Sequence, residues 1–162
     1  MGGRPVTAPE GLLPRGRFAR INGREYEIVG TSRAGHISAE DAATLRAEVV
    51  PDGFREVPRL QLPLDPGLVQ VPQAQLSDWG RRLWVARHEG DWFWVNDWRG
   101  EGGVHIVTSD QDLVARDDRW HGSLREGGWE LFVAWDDLDA RAVWVPAGAP
   151  LPTTIDGETV HT

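Results

Sequence analysis

The stretch ARINGREYEIV at residues 19–29 has a counterpart, ARHEGDWFWV, at residues 86–95. Both follow the frame Ala-Arg-x-x-Gly-x-x-aromatic-x-aliphatic, which aligns Gly23 with Gly90. Residues of alternating character flank a short turn in each stretch, and Asn22-Gly23 is a turn sequence typical of β-hairpins. The two stretches therefore predict two β-hairpins of the same kind.

Further matches follow these hairpins in the same order along the chain. His36-Ile37 aligns with His105-Ile106, and Val71 aligns with Val133. The offset between the copies drifts, as insertions in loops would make it. The matches predict a diverged internal duplication with units at residues 15–78 and 79–146, and tails at residues 1–14 and 147–162.

The predicted fold is mainly β: two similar small antiparallel β units related by a pseudo-twofold axis, with short helical turns. Residues 38–49 open with a Ser-x-x-Asp capping pattern that suits two or three helical turns. Residues 108–118 suit a short turn of helix that begins at Thr108 or Ser109. Both segments are also compatible with loops that lead into strands ending at Val50 and Val114.

Composition excludes several classes of function. The chain has 17 basic residues, all arginine, against 25 acidic ones, for a net charge of −8. No basic cluster is present, so nucleic acid and anionic membranes are not expected as partners. The sequence has no cysteine, and no stretch has the length and apolarity of a signal peptide or a membrane span. We expect a cytoplasmic protein without a disulfide or a structural metal.

All nine tryptophans lie between Trp79 and Trp144. Most are expected in the core, with Trp84, Trp92 and Trp94 on one face of the second hairpin. Trp98 and Trp120 stand among charged residues and glycines instead. Such tryptophans are typical anchors of protein interfaces, and stacking on a sugar ring is the alternative.

The loop DWRGEGG at residues 97–103 is the most unusual stretch of the chain. Its glycines permit a tight backbone that can approach another surface closely, and we expect it to lie outside the strands. Its counterpart at residues 30–35 is also bounded by glycines and is centred on Arg33. A long hairpin turn without a function is the alternative interpretation.

No pattern in the sequence indicates catalysis. Motifs for a serine or cysteine nucleophile are absent, and the histidines lack the spacing of metal ligands. Asp117-Asp118 and Asp136-Asp137 are adjacent pairs, which on a strand would point to opposite faces. We therefore predict no catalytic residue, no metal ligand and no cofactor.

The two β units, the ARxxG hairpin in each and the glycine-containing loop together resemble the immunity factors of actinobacterial NAD-glycohydrolase toxins, such as the tuberculosis necrotizing toxin. The resemblance covers residues 15–146. It implies a protein that binds a cognate toxin and places loop residues over the NAD site, so that substrate is excluded. The residues predicted to bind this partner are Arg33, Asp97, Trp98, Arg99, Glu101, Gly102, Gly103, Asp117, Asp118 and Trp120.

A second interpretation stays open. The stretch GDWFWVNDWRGEGG at residues 90–103 is similar to the bacterial SH3 pattern of an aromatic strand followed by a glycine turn. It predicts a tandem SH3-like module that binds a peptide or a glycan.

Overall fold

The computed structural model of the chain describes residues 9–97 and 102–162. These residues form two compact units. The first unit comprises Gly16–Arg82 and Trp144–Ala149, and the second comprises Leu83–Val143, Pro150–Thr162 and the segment that ends at Arg15. The predicted mainly β class is confirmed. The chain passes from the first unit to the second within a strand, after Arg82, rather than at the predicted boundary after Asp78.

The first unit is an antiparallel ladder of five strands in the order β4-β3-β2-β1-β5. A 3₁₀ turn at Gln73–Gln75 separates β4 from β5. The predicted hairpin is present, and its turn residues Asn22 and Gly23 have φ of 53° and 77°, which Asn-Gly adopts readily. The strands are β1 (Gly16–Ile21), β2 (Arg24–Ser32), β3 (Ala42–Arg46), β4 (Leu68–Pro72) and β5 (Trp79–His88), of which residues 79–82 belong to this unit.

The second unit is also a β ladder. Its strands run in the order β10-β5-β6-β7-β9-β8, and a 3₁₀ turn at Trp135–Asp137 precedes β10. A further 3₁₀ turn lies at Leu124–Glu126. The elements after β5 are β6 (Asp91–Asp97), β7 (Gly103–Thr108), α1 (Gln111–Val114), β8 (His121–Ser123), β9 (Gly128–Ala134), β10 (Asp139–Pro146), β11 (Thr154–Ile155) and β12 (Glu158–His161).

The strand registers correct one of the sequence alignments. Ile28 pairs with Leu45 in the first unit, and Val95 pairs with Ile106 in the second, each followed by an irregularity in the ladder. Leu45 therefore holds the ladder position of Ile106. The alignment of Ile37 with Ile106 is wrong, because the longer connection between β2 and β3 shifts the strand that follows it.

Three clusters of buried side chains form the cores of the two units. One cluster lies in the first unit and includes Ile28, Leu45 and Val71. The other two lie in the second unit, one with Trp84 and the other with Trp92 and Trp94. All three tryptophans are buried as expected, but the prediction that they share one face is wrong. Val85, not Trp84, pairs with Trp94 across the hairpin, which puts Trp84 on the opposite face of β5.

The two helical predictions have different outcomes. Residues 38–49 contain strand β3, whose ladders with β2 and β4 override the capping pattern. The short helix after β7 is confirmed as α1. Its N-cap is Asp110 rather than Thr108 or Ser109, because the Asp110 carboxylate accepts hydrogen bonds from the backbone N–H groups of Asp112 and Leu113 at 3.0 and 3.2 Å.

Residues 147–162 were predicted as a tail, but they contain β11 and β12. Strand β12 pairs in parallel with β6, and its Val160 is buried. The Glu158 carboxylate accepts a hydrogen bond from the Trp92 indole N–H at 2.8 Å and forms an ion pair with Arg87 at 3.0 Å. The end of the chain therefore belongs to the second unit. No helix of the described residues is long and apolar enough to cross a membrane.

Candidate functional site

The glycine loop predicted to bind a partner connects β6 to β7. Asp97 pairs with His105 in the ladder at the base of this loop. Trp98, Arg99 and Glu101 lie outside the described residues. Gly102 has φ of 84°, and its carbonyl accepts a hydrogen bond from the backbone N–H of Trp135 at 3.0 Å. The 3₁₀ turn after β9 is thus tied directly to the end of the loop.

Gly103 is not a loop residue, contrary to the prediction. It is the first residue of β7, it is buried, and it pairs with Ala134. A Cβ atom at this position would lie 2.3 Å from the Val133 carbonyl oxygen and 2.7 Å from Cζ of Phe132. Glycine is required here because the backbone of β9 and a phenylalanine ring occupy the space that a side chain needs.

Phe132 is the aromatic residue that the sequence analysis overlooked. Its side chain stands over Gly103 and is 49% exposed. The His105 ring contacts it edge-on, with ring centroids 5.5 Å apart. The alternation along β9 indicates this position, because Leu131 and Val133 are buried on one face and Phe132 lies between them on the other.

Two acidic residues lie in the 3₁₀ turn that follows β9, the strand that contains Phe132. Asp136 and Asp137 follow Trp135 in the 3₁₀ turn and are both exposed. Neither forms a hydrogen bond or an ion pair with any residue in the described ranges. We call the set Gly102, Gly103, His105, Phe132, Asp136 and Asp137 the aromatic–acidic patch. All of its members belong to the second unit.

Trp120 was predicted to stand outside the core as an interface anchor, and this is wrong. Its side chain is only 7% exposed and packs within the second unit. Its ring centroid lies 5.5 Å from that of Phe93. No tryptophan among the described residues is exposed, so the glycines and charges beside Trp120 in the sequence reflect a connection that crosses over the core.

Asp117 and Asp118 have different environments. Asp117 lines a small cavity of about 130 Å³ together with His88, Glu89 and Trp120, whereas Asp118 is exposed and does not line it. The guanidinium of Arg119 binds the Asp117 carboxylate through Nε at 2.9 Å and Nη2 at 2.6 Å. These hydrogen bonds lower the pKa of Asp117 to about 2. Asp117 is therefore paired with Arg119 within the chain.

His88, Glu89 and Asp117 form a group that the sequence analysis did not predict. Their potential metal-ligand atoms all lie within 4.8 Å of one another, and Nε2 of His88 is buried without a hydrogen-bond partner in the described structure. Arg119 pairs with both carboxylates, at 3.2 Å from Glu89 and 2.6 Å from Asp117. A metal ion would have to displace this guanidinium, so the donor set fits a cation poorly.

Arg33 lies apart from the other predicted binding residues. It is exposed in the connection between β2 and β3, which belongs to the first unit. The backbone N–H of the next residue, Ala34, donates to the Asp41 carboxylate at 2.8 Å. The patch residues belong to the second unit, so Arg33 and the patch lie in different units.

Comparison of the chain with known protein families, with curated proteins and with solved structures finds no match.

Proposed function

We propose that this chain is a non-catalytic protein inhibitor, an immunity protein that covers the active site of a cognate toxin with the aromatic–acidic patch and the adjoining β6–β7 loop. The observation that carries the proposal is Phe132, an aromatic side chain that is half exposed beside a glycine-rich loop. Interface anchors are commonly aromatic residues near the centre of a contact surface. Gly102 adds no side chain that would keep a partner away.

The charge around Phe132 supports a protein partner with a basic surface. Asp136 and Asp137 are exposed and form no ion pair with any residue that the structure describes. The chain as a whole carries a net charge of −8. Carboxylates at the edge of an interface accelerate association with a cationic partner and add less to affinity. A toxin that binds the anionic cofactor NAD needs cationic or donor groups at its own site, which such an acidic surface complements.

The proposal includes an internal duplication of one β unit. Both units begin with a two-residue hairpin, have an irregularity in the ladder after Ile28 or Val95, and have a 3₁₀ turn before β5 or β10. The strand registers support the alignment of Val71 with Val133 in the sequence. Val71 pairs with Ala43 of β3, and Val133 pairs with Val104 of β7. The NAD-glycohydrolase identity of the toxin rests on the resemblance of the sequence alone.

The test is a titration of toxin activity. The toxin to be tested is any toxin domain that a neighbouring gene encodes, and its hydrolysis of NAD is measured as the purified chain is added. We expect stoichiometric inhibition by the wild type. Phe132→Ala should weaken binding by about 2 kcal/mol, roughly thirtyfold.

Leu60→Ala is the matched control, because Leu60 is an apolar residue of the first unit that is 58% exposed. It should inhibit as the wild type does. Equal inhibition by Phe132→Ala would remove the patch from the mechanism. Hydrolysis of NAD by the chain alone would overturn the inhibitor proposal itself.

A second candidate is the tandem SH3-like module. The order β4-β3-β2-β1-β5 with a 3₁₀ turn before the fifth strand is the arrangement of SH3-like folds, and the order β9-β7-β6-β5-β10 repeats it. SH3 domains bind proline-rich segments in aromatic-lined grooves, although a fold does not fix a function. Titration with proline-rich peptides and with oligosaccharides tests this candidate, and binding that persists in Phe132→Ala would favour it over the inhibitor.

A further inference from the structure

Two arginines face each other across the ladder of the first unit. Arg17 of β1 pairs directly with Arg81 of β5, and both side chains are exposed. Neither forms an ion pair or a hydrogen bond with any residue that the structure describes. Like charges at directly opposed positions destabilise a sheet, because their side chains project from the same face about 5 Å apart. An anion bound between the two guanidinium groups would relieve this repulsion.

The two arginines line a cavity of about 200 Å³ that is otherwise apolar. Its walls include Trp79 of β5, Val145 of β10 and the turn that ends at Ala149. All of these residues belong to the first unit.

Backbone contacts hold the walls of this cavity in place. The N–H of Ala147 donates to the Trp79 carbonyl at 2.9 Å, and the N–H of Ala149 donates to the Pro146 carbonyl at 3.0 Å. Gly80 lies beside them without a side chain, and a Cβ atom there would lie 2.4 Å from the Val145 carbonyl oxygen. The close approach of the two strands fixes the floor of the cavity, so the cavity is part of the fold rather than a gap between mobile side chains.

We propose that this cavity binds a small organic carboxylate. Its carboxylate would lie between Arg17 and Arg81, whose planar guanidinium groups match a carboxylate in geometry and charge. Its apolar body would lie against Trp79 and Val145. The cavity volume of about 200 Å³ is well above the roughly 10–15 Å³ that is needed to hold one water molecule, which suits a ligand the size of phenylacetate.

The cavity is independent of the aromatic–acidic patch. It lies in the first unit and the patch lies in the second, so either proposal can fail without the other. A chain with a net charge of −8 repels anions in general. Binding of an anion at this place therefore depends on the local pair of arginines.

The experiment is a titration of the full chain with phenylacetate. Binding is measured by calorimetry and by the NMR signal of the Trp79 indole N–H, and this signal is assigned by its absence in Trp79→Phe. A ligand of this size should bind with a dissociation constant on the order of 1 mM. Arg17→Gln and Arg81→Gln should each weaken binding about tenfold or more, because each removes one charge-assisted contact. Arg125→Gln, which changes an exposed arginine of the second unit, is the matched control and should bind as the wild type does.

Two further ligands separate the contributions of charge and apolar contact. Inorganic phosphate and 2-phenylethanol should each bind more weakly than phenylacetate, since each offers only one of the two features. Phosphate binding as tight as phenylacetate would reduce the site to a patch of charge and overturn the proposal. Equal binding of 2-phenylethanol, or no binding of phenylacetate up to about 20 mM, would overturn it as well.

Discussion

Gly103→Ala should destabilise the protein, although the sequence places Gly103 in an apparently permissive glycine-rich loop. The added Cβ would lie 2.3 Å from the Val133 carbonyl oxygen, about 1 Å inside an ordinary contact. This steric clash is relieved only if β9 moves away from β7. The movement would weaken the pairing of Gly103 with Ala134 and of Val104 with Val133. Overpacking costs about 1–3 kcal/mol, and each weakened ladder bond costs about 1 kcal/mol, so we expect a loss of about 2–4 kcal/mol.

The assay is thermal unfolding followed by circular dichroism. For a chain of this length, a loss of about 3 kcal/mol lowers the midpoint of unfolding by roughly 6–12 °C. Gly30→Ala is the matched control, because Gly30 also lies in a strand and a Cβ there would meet no atom within 4 Å. It should leave stability unchanged or raise it by about 0.5 kcal/mol. Equal midpoints for the two variants would refute the argument that β9 closes the space beside Gly103.

Two other predictions concern acid stability and the end of the chain. The pKa of Asp117 is lowered from 3.8 to about 2, so the stability that its pairing with Arg119 contributes is present well above pH 4 and is lost as the pH falls through 2. Unfolding midpoints measured between pH 4 and pH 2 should therefore fall less in Asp117→Asn than in the wild type, and parallel curves would contradict this. Val160→Ala should cost about 2 kcal/mol because Val160 is buried in β12, whereas Val49→Ala at an exposed position should cost nothing measurable in the same denaturant titration.

The two hairpins were accessible from sequence because turn chemistry and alternation are local. Asn22-Gly23 and Glu89-Gly90 both adopt the positive φ values of a two-residue hairpin turn. The strand β3 was obscured because Ser38 begins a pattern that also suits a helix. Which structure forms there is decided by pairing with β2 and β4, and strand pairing depends on residues far away in the sequence.

The candidate site was only partly accessible for the same reason. The β6–β7 loop was predicted from its glycines. Which of these glycines has room for a side chain depends on where β9 packs, and the local sequence does not show that. Gly102 ends the loop, whereas Gly103 lies under Phe132. Phe132 itself follows from the alternation of β9 once one face is known to be buried. Sequence reasoning instead favoured Trp120 because of its charged neighbours, and neighbours in sequence do not report burial.

The concentration of tryptophan in the second unit has an architectural cause. This unit has two buried clusters, one containing Trp84 and the other containing Trp92 and Trp94, and large side chains fill both with few residues. Two of their indole N–H groups also form hydrogen bonds with segments that lie early and late in the chain. Trp84 donates to the Leu13 carbonyl at 2.8 Å, and Trp92 donates to the Glu158 carboxylate at 2.8 Å. The buried tryptophans of these two clusters therefore stabilise the unit that presents Phe132, which is the exposed aromatic residue of the described ranges.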